Sequence, residues 1–216
     1  VEALFTTVTN VNFDADRIGQ TIKQGQEVLA TAKTLYEKAC EDQGKTPDKI
    51  ESVESWQYPQ TLEQMIQEAQ NQNIARRIEQ LGPDITGLQE LITYGIKGTA
   101  AYMDHAIVLG YSDDEALAFF HEALNFLTTP EARDVDSLVA IALKVGEVNL
   151  KVMELLDKAN TEAYGHPEPT QVRVTPVKGK AILVSGHDLK DLELLLQQTE
   201  GKGVNVYTHG EMLPCL

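Results

Sequence analysis

From Val1 to about Gly165 the apolar residues recur at helical spacing. Ile18, Ile22, Leu29, Ala32 and Leu35 form a loose stripe behind Asp14 and Asp16, acidic residues suited to a helix start. From Gly44 to Gln60 the pattern lapses around Pro47 and Pro59, which predicts a surface loop. Helical character returns at Thr61-Leu62-Glu63-Gln64 and breaks at Leu81-Gly82-Pro83. The strongest segment is Asp84 to Leu109, where Ile85, Leu88, Ile92, Ile96, Thr99, Met103 and Ile107 step by 3, 4, 4, 3, 4 and 4. That rhythm predicts one continuous buried stripe. Gly87, Gly95 and Gly98 each cost about 1 kcal/mol relative to Ala in a helix, so a close neighbouring backbone is expected at all three. Gly110 supplies a stop. Ser112-Asp113-Asp114-Glu115 reads as a capping box opening a helix with Leu117, Phe120, Leu124 and Leu127. After Thr129-Pro130 a last long helix is expected from Asp136 to about Asn160, with Leu138, Ile141, Val145, Val148, Val152 and Leu155 facing a bundle partner.

The pattern then changes. His166-Pro167-Glu168-Pro169 predicts a stiff extended linker, because each proline fixes its own φ and biases the residue before it away from helix. Val172 and Val174 suggest a short edge strand or an extended lead-in. The run Lys180-Ala181-Ile182-Leu183-Val184-Ser185-Gly186 predicts a parallel strand buried on both faces. Asp188 caps a helix whose stripe is Leu189, Leu192, Leu195 and Leu196, and Val204-Asn205-Val206-Tyr207 follows as a second strand. The fold class expected is mainly α: a helical bundle over 1–165, a linker and lead-in strand over 166–179, and the first βαβ unit of a Rossmann-like α/β domain over 180–216. Two parallel strands do not make an independently stable sheet. The chain is therefore expected to be a fragment of a longer α/β-containing protein, or to receive the missing part of its sheet from elsewhere.

Charge narrows the partners. With 18 Lys+Arg against 33 Asp+Glu the net charge is −15, which excludes the basic footprint of a nucleic-acid binder and disfavours an anionic leaflet. The apolar runs are far short of a membrane span, and the N-terminus lacks the pattern of a secretory signal. The two cysteines, Cys40 and Cys215, form neither a CxxC pair nor a disulfide framework, pointing to a reducing cytoplasm.

In a right-handed βαβ unit the strands leave the sheet on the same rim, where open α/β folds bind ligands. The exits are Ser185-Gly186-His187-Asp188 and Thr208-His209-Gly210-Glu211. With neighbouring strands about 4.8 Å apart, His187 and Glu211 could reach one common atom, and imidazole plus carboxylate makes a partial iron or zinc site. The alternative is that His187 merely precedes an N-cap while His209 and Glu211 are loop residues. A phosphate-binding turn is excluded by the lack of GxGxxG and GxxxxGK[ST] spacing and by the charge of Asp188. Ser185 lacks a nucleophile elbow, and Cys215 has no defined base. His105, His121 and Cys40 have no metal-ligand spacing and read as structural or solvent-facing residues.

Several strings resemble one family. They are Phe5-Thr6-Thr7-Val8-Thr9-Asn10-Val11-Asn12-Phe13-Asp14, the helix from Gly87-Leu88-Gln89-Glu90-Leu91, Gly146-Glu147-Val148-Asn149-Leu150 and Tyr164-Gly165-His166-Pro167-Glu168-Pro169. The most specific are Ile182-Leu183-Val184-Ser185-Gly186-His187-Asp188-Leu189 and the stretch from Gly203 to Pro214 containing Thr208-His209-Gly210-Glu211-Met212. Together they resemble the hybrid cluster proteins, also called prismane proteins or hydroxylamine reductases, which are related to the nickel carbon monoxide dehydrogenases. The resemblance implies a helical domain followed by two α/β domains around a hybrid iron-sulfur-oxygen cluster. It also implies a conventional cubane 4Fe-4S cluster on an N-terminal cysteine motif.

By motif, His187 and Glu211 are the ligands this chain would contribute to the hybrid cluster, with His209 and Asp188 beside them. This chain has no such cysteine motif and lacks the family's remaining thiolates and second glutamate, so neither cluster is expected intact on it alone. The implied activity is reduction of hydroxylamine to ammonia and water, with a redox electron donor as partner and a place in nitrogen metabolism. Nitric oxide reduction is the competing assignment within the family. A non-catalytic helical interaction protein is the rival from another class, and Gly186-His187-Asp188-Leu189 with Thr208-His209-Gly210-Glu211-Met212 disfavours the carbon monoxide dehydrogenase branch.

Overall fold

The computed structural model describes residues 1–8, 13–48 and 59–215. Residues 9–12 of the Phe5 to Asp14 string, 49–58 of the expected loop, and Leu216 lie outside them. In chain order the helices are α1 (Glu2–Phe5), α2 (Ala15–Asp42), α3 (Leu62–Asn71), α4 (Ile74–Leu81), α5 (Pro83–Val108), α6 (Asp114–Phe126) and α7 (Val135–Tyr164). A 3-10 turn, Pro130–Arg133, separates α6 from α7. Then come β1 (Lys180–Val184), α8 (Leu189–Thr199), β2 (Val204–Thr208) and a second 3-10 turn, Gly210–Cys215. The chain is mainly α, and among the described residues no helix is long and apolar enough to cross a membrane.

The core is the seam between α5 and α7. Ile92, Ile96, Ala100 and Met103 of α5 meet Leu138, Val145, Val148 and Val152 of α7, with Phe119, Phe120 and Ala123 of α6 closing the third side. Gly95 makes the approach possible: a Cβ there would sit 2.6 Å from Cγ1 of the buried Val145. Gly87 and Gly98, by contrast, face open space, so the expected close approach holds at Gly95 alone. Two buried amide and hydroxyl contacts fix the register. Gln89 Nε2 donates to the Ala132 carbonyl at 2.8 Å, and the Thr99 hydroxyl pairs with Asn149 Oδ1 at 3.1 Å. Farther along, Glu115 pairs with Lys151, Glu162 with Tyr111, and Lys158 lies 5.8 Å over the Tyr111 ring.

Capping departs from the expected pattern in one place. Asp113, not Ser112, is the N-cap of α6, its carboxylate accepting from Ala116 N at 2.8 Å. The capping box lies instead at Thr61 and Gln64 of α3. A carboxylate is as good a cap as a hydroxyl and also opposes the helix dipole, which decides the competition at Ser112-Asp113. The stripe on α2 is largely uncovered among the described residues: Leu29 and Leu35 are exposed, and only Cys40 of this helix is buried.

After α7, Gly165 turns the chain at φ 85°, and residues 165–179 are exposed without helix or strand. Val172 and Val174 thus belong to an extended lead-in, not to an edge strand. β1 and β2 pair in parallel from Lys180↔Val204 to Val184↔Thr208, with α8 as the crossover. Leu192 of α8 is buried, but Leu183 of β1 is 70% exposed. The strand expected to be buried on both faces is covered on one only, because apolar content states a strand's requirement and neighbouring elements decide whether it is met.

The seam yields a stability test. Gly95→Ala should lower the unfolding midpoint despite the better helix propensity of Ala, since overpacking a filled site typically costs about 1–3 kcal/mol. Gly98→Ala, in open space, should raise stability by up to about 1 kcal/mol. Thermal unfolding followed by circular dichroism reads both; equal responses of the two variants would contradict the close packing at Val145.

Candidate metal centre

The rim of the two-stranded sheet is built from its ladder upward. Val184 and Thr208 are the last paired residues, and His209 N donates to the Val184 carbonyl at 2.9 Å, carrying the pairing one step beyond the strands. His187 and Glu211 each stand three positions after that last pair. Parallel pairing places both exits at the same end of the sheet, and both side chains are exposed there.

Each exit is held by a different force. On the first, Gly186 takes φ 132° and Asp188 caps α8, its Oδ1 accepting from Lys190 N at 2.8 Å and Asp191 N at 3.1 Å. The Asp188 charge is thereby directed into the helix N-terminus. On the second, Gly210 has φ 61°, and a Cβ there would lie 3.4 Å from Ser185 Oγ, so the two exits approach each other at Gly210 and Ser185. Met212, 2% exposed, anchors the turn that carries Glu211. Below it the Thr208 hydroxyl oxygen is buried without a hydrogen-bond partner.

Burial pushes the carboxyl of Asp104 on α5 up; His105 opposes the rise and Glu2 adds to it.

The other titratable groups sit elsewhere. The His105 ring packs edge-on against Phe5 at 5.5 Å. His121 is exposed on α6, and Cys40 is buried on α2. Cys215 lies with its sulfur 3.7 Å from that of Met212, and burial pushes its thiol up. Among the described residues no group of three or more His, Cys, Asp or Glu side chains gathers to hold a metal ion. Imidazole nitrogen and carboxylate oxygen are both metal donors, and a thiol joins such a set only as the thiolate.

The raised Cys215 gives a pH-dependent test. Only the thiolate alkylates, so iodoacetamide should label Cys215 more slowly near neutral pH than a small free thiol, and the midpoint of its rate profile should be displaced to higher pH. Mass spectrometry separates Cys215 from Cys40. A midpoint at or below that of the free thiol would contradict the burial of this sulfur.

The Prismane/CO dehydrogenase family matches residues 1–216. A protein named hydroxylamine reductase from Acidithiobacillus ferrooxidans (strain ATCC 53993 / BNL-5-31) is 49% identical over 211 residues, covering 98% of this chain and 38% of that protein. A second hydroxylamine reductase, from Acidithiobacillus ferridurans, is 48% identical over 211 residues with the same coverage. The chain thus spans 38% of the length of these curated relatives.

Proposed function

Because the chain belongs to the Prismane/CO dehydrogenase family, we propose that it is the part of a hydroxylamine-reducing oxidoreductase that contributes His187 and Glu211 to a hybrid iron-sulfur-oxygen cluster. In this reading 1–165 is a helical domain, 166–179 a linker, and 180–216 the start of a Rossmann-like cluster-binding domain. The observation that carries it is the parallel register ending at Val184↔Thr208, which brings an imidazole and a carboxylate to one edge.

The donor chemistry fits one side of such a site. Iron-sulfur clusters take most of their ligands as thiolates. Cys40 is buried on α2, and burial pushes the Cys215 thiol up. The rim therefore supplies the nitrogen and oxygen donors, while the thiolates, the second glutamate and the conventional cluster come from parts of the relatives' length that this chain does not span. When bound, the cluster supplies electrons and an open iron for the substrate.

Hydroxylamine takes up two electrons and two protons to give ammonia and water; an external redox donor in the cytoplasm provides the electrons. His187 would hold the metal through an imidazole nitrogen, and Glu211 through a carboxylate oxygen whose charge offsets that of the metal. The α8 cap and the buried Met212 orient them. Asp188 and His209 flank the two ligands and tune their surroundings.

In a complete protein of the relatives' length, His187→Ala and Glu211→Ala should each lower iron content or turnover by at least about ten-fold, since even outer-shell changes cost about 10- to 100-fold. Iron and sulfide analysis, electron paramagnetic resonance and assays with hydroxylamine and with nitric oxide read the result. After anaerobic reconstitution, the 216-residue chain alone should hold no intact hybrid cluster. An unaffected cluster in the complete His187→Ala protein would overturn the assignment, and faster turnover of nitric oxide than of hydroxylamine would move it to the other substrate.

A further inference from the structure

Between the end of α7 and the start of β1 the chain is exposed throughout and has no regular structure, so the backbone alone does not fix how α8 sits against the helical part. A side chain does. Tyr164, the last residue of α7, donates its hydroxyl to Glu193 Oε2 of α8 at 3.0 Å. The same oxygen accepts from Lys190 Nζ at 2.9 Å, and Oε1 accepts from Gln197 Nε2 at 2.8 Å. One carboxylate thus gathers three donors, two from its own helix and one from the end of α7.

The electrostatics of the pair follow from this geometry. Burial, then the bond to Glu193, pushes the Tyr164 phenol up to about 12, and the bonds from Lys190 and Tyr164 hold Glu193 below the usual carboxylate range. A raised phenol contributes stability that is full below its unfolded value near 10 and is lost as pH climbs through the folded value. A lowered carboxylate contributes stability present above its unfolded value near 4.5, lost as pH falls through the folded one. The contact is intact between those limits.

Its position gives it leverage. Glu193 lies five residues beyond the cap Asp188, on the helix that His187 immediately precedes. We propose that Tyr164 and Glu193 are positioning residues, a latch across residues 165–179 that sets the placement of the His187 rim against the helical part. Its effect on the cluster rests on the metal assignment of His187; the latch itself does not.

The test uses the complete protein of the relatives' length, with Tyr164→Phe, Glu193→Ala, Glu193→Gln and the Tyr164→Phe/Glu193→Ala double variant. Phe keeps the ring, and circular dichroism checks that each variant folds. Amide hydrogen exchange over 165–179 and α8 should rise about two- to ten-fold in Tyr164→Phe and Glu193→Ala, as loss of one hydrogen bond allows. The double variant should exchange no faster than Glu193→Ala, and Glu193→Gln, which still accepts from the phenol, should recover part of the protection. The electron paramagnetic resonance spectrum should shift in Tyr164→Phe while iron content is retained. Unchanged exchange would overturn the latch. Faster exchange with an unchanged spectrum would overturn its role in placing His187, whereas failure of the metal assignment itself shows separately in His187→Ala.

Discussion

The close approach of α5 and α7 is the constraint on which the rest of the molecule hangs. It depends on one missing side chain, at Gly95, into whose space Val145 projects. With that contact made, Ile92, Ile96 and Met103 are sealed against Leu138, Val148 and Val152, and the Gln89 and Thr99 hydrogen bonds permit one register. The consequence reaches beyond the bundle. α7 has 30 residues and is about 45 Å long at 1.5 Å per residue, so fixing its middle against α5 fixes where Tyr164 emerges. Tyr164 then meets Glu193, and the sheet rim follows.

Much of this was legible in the sequence because it depends on local periodicity. The stripes of α5 and α7 and the Asp188 cap all fall within a few residues of where apolar spacing and turn chemistry put them. What the sequence concealed depends on neighbours it does not name. Gly95 and Gly98 look alike in a helix, yet one faces Val145 and the other open space. Leu183 sits in an apolar run suited to two-sided burial, yet only the α8 side of its sheet is covered among the described residues.

The candidate site divides in the same way. His187 and Glu211 could be read together because the parallel βαβ topology converts sequence position after a strand into position on a rim. The motifs around them then named the family. The Tyr164 to Glu193 bond had no such signal: it joins residues 29 positions apart across an irregular segment, and neither belongs to a repeating pattern.

The chemistry of the rim follows from how each exit is anchored. Asp188 directs its carboxylate at Lys190 N and Asp191 N, compensating the positive end of α8 from within. An incoming phosphate would find that end occupied by a like charge. On the other exit a 3-10 turn follows, and a buried apolar side chain holds it: Met212 is inside, which leaves the carboxylate of its neighbour Glu211 outward. One anchor is electrostatic and the other hydrophobic, yet both do the same thing. Each engages the residue after the proposed ligand and leaves the ligand itself exposed at the rim, where a nitrogen donor and an oxygen donor are available together.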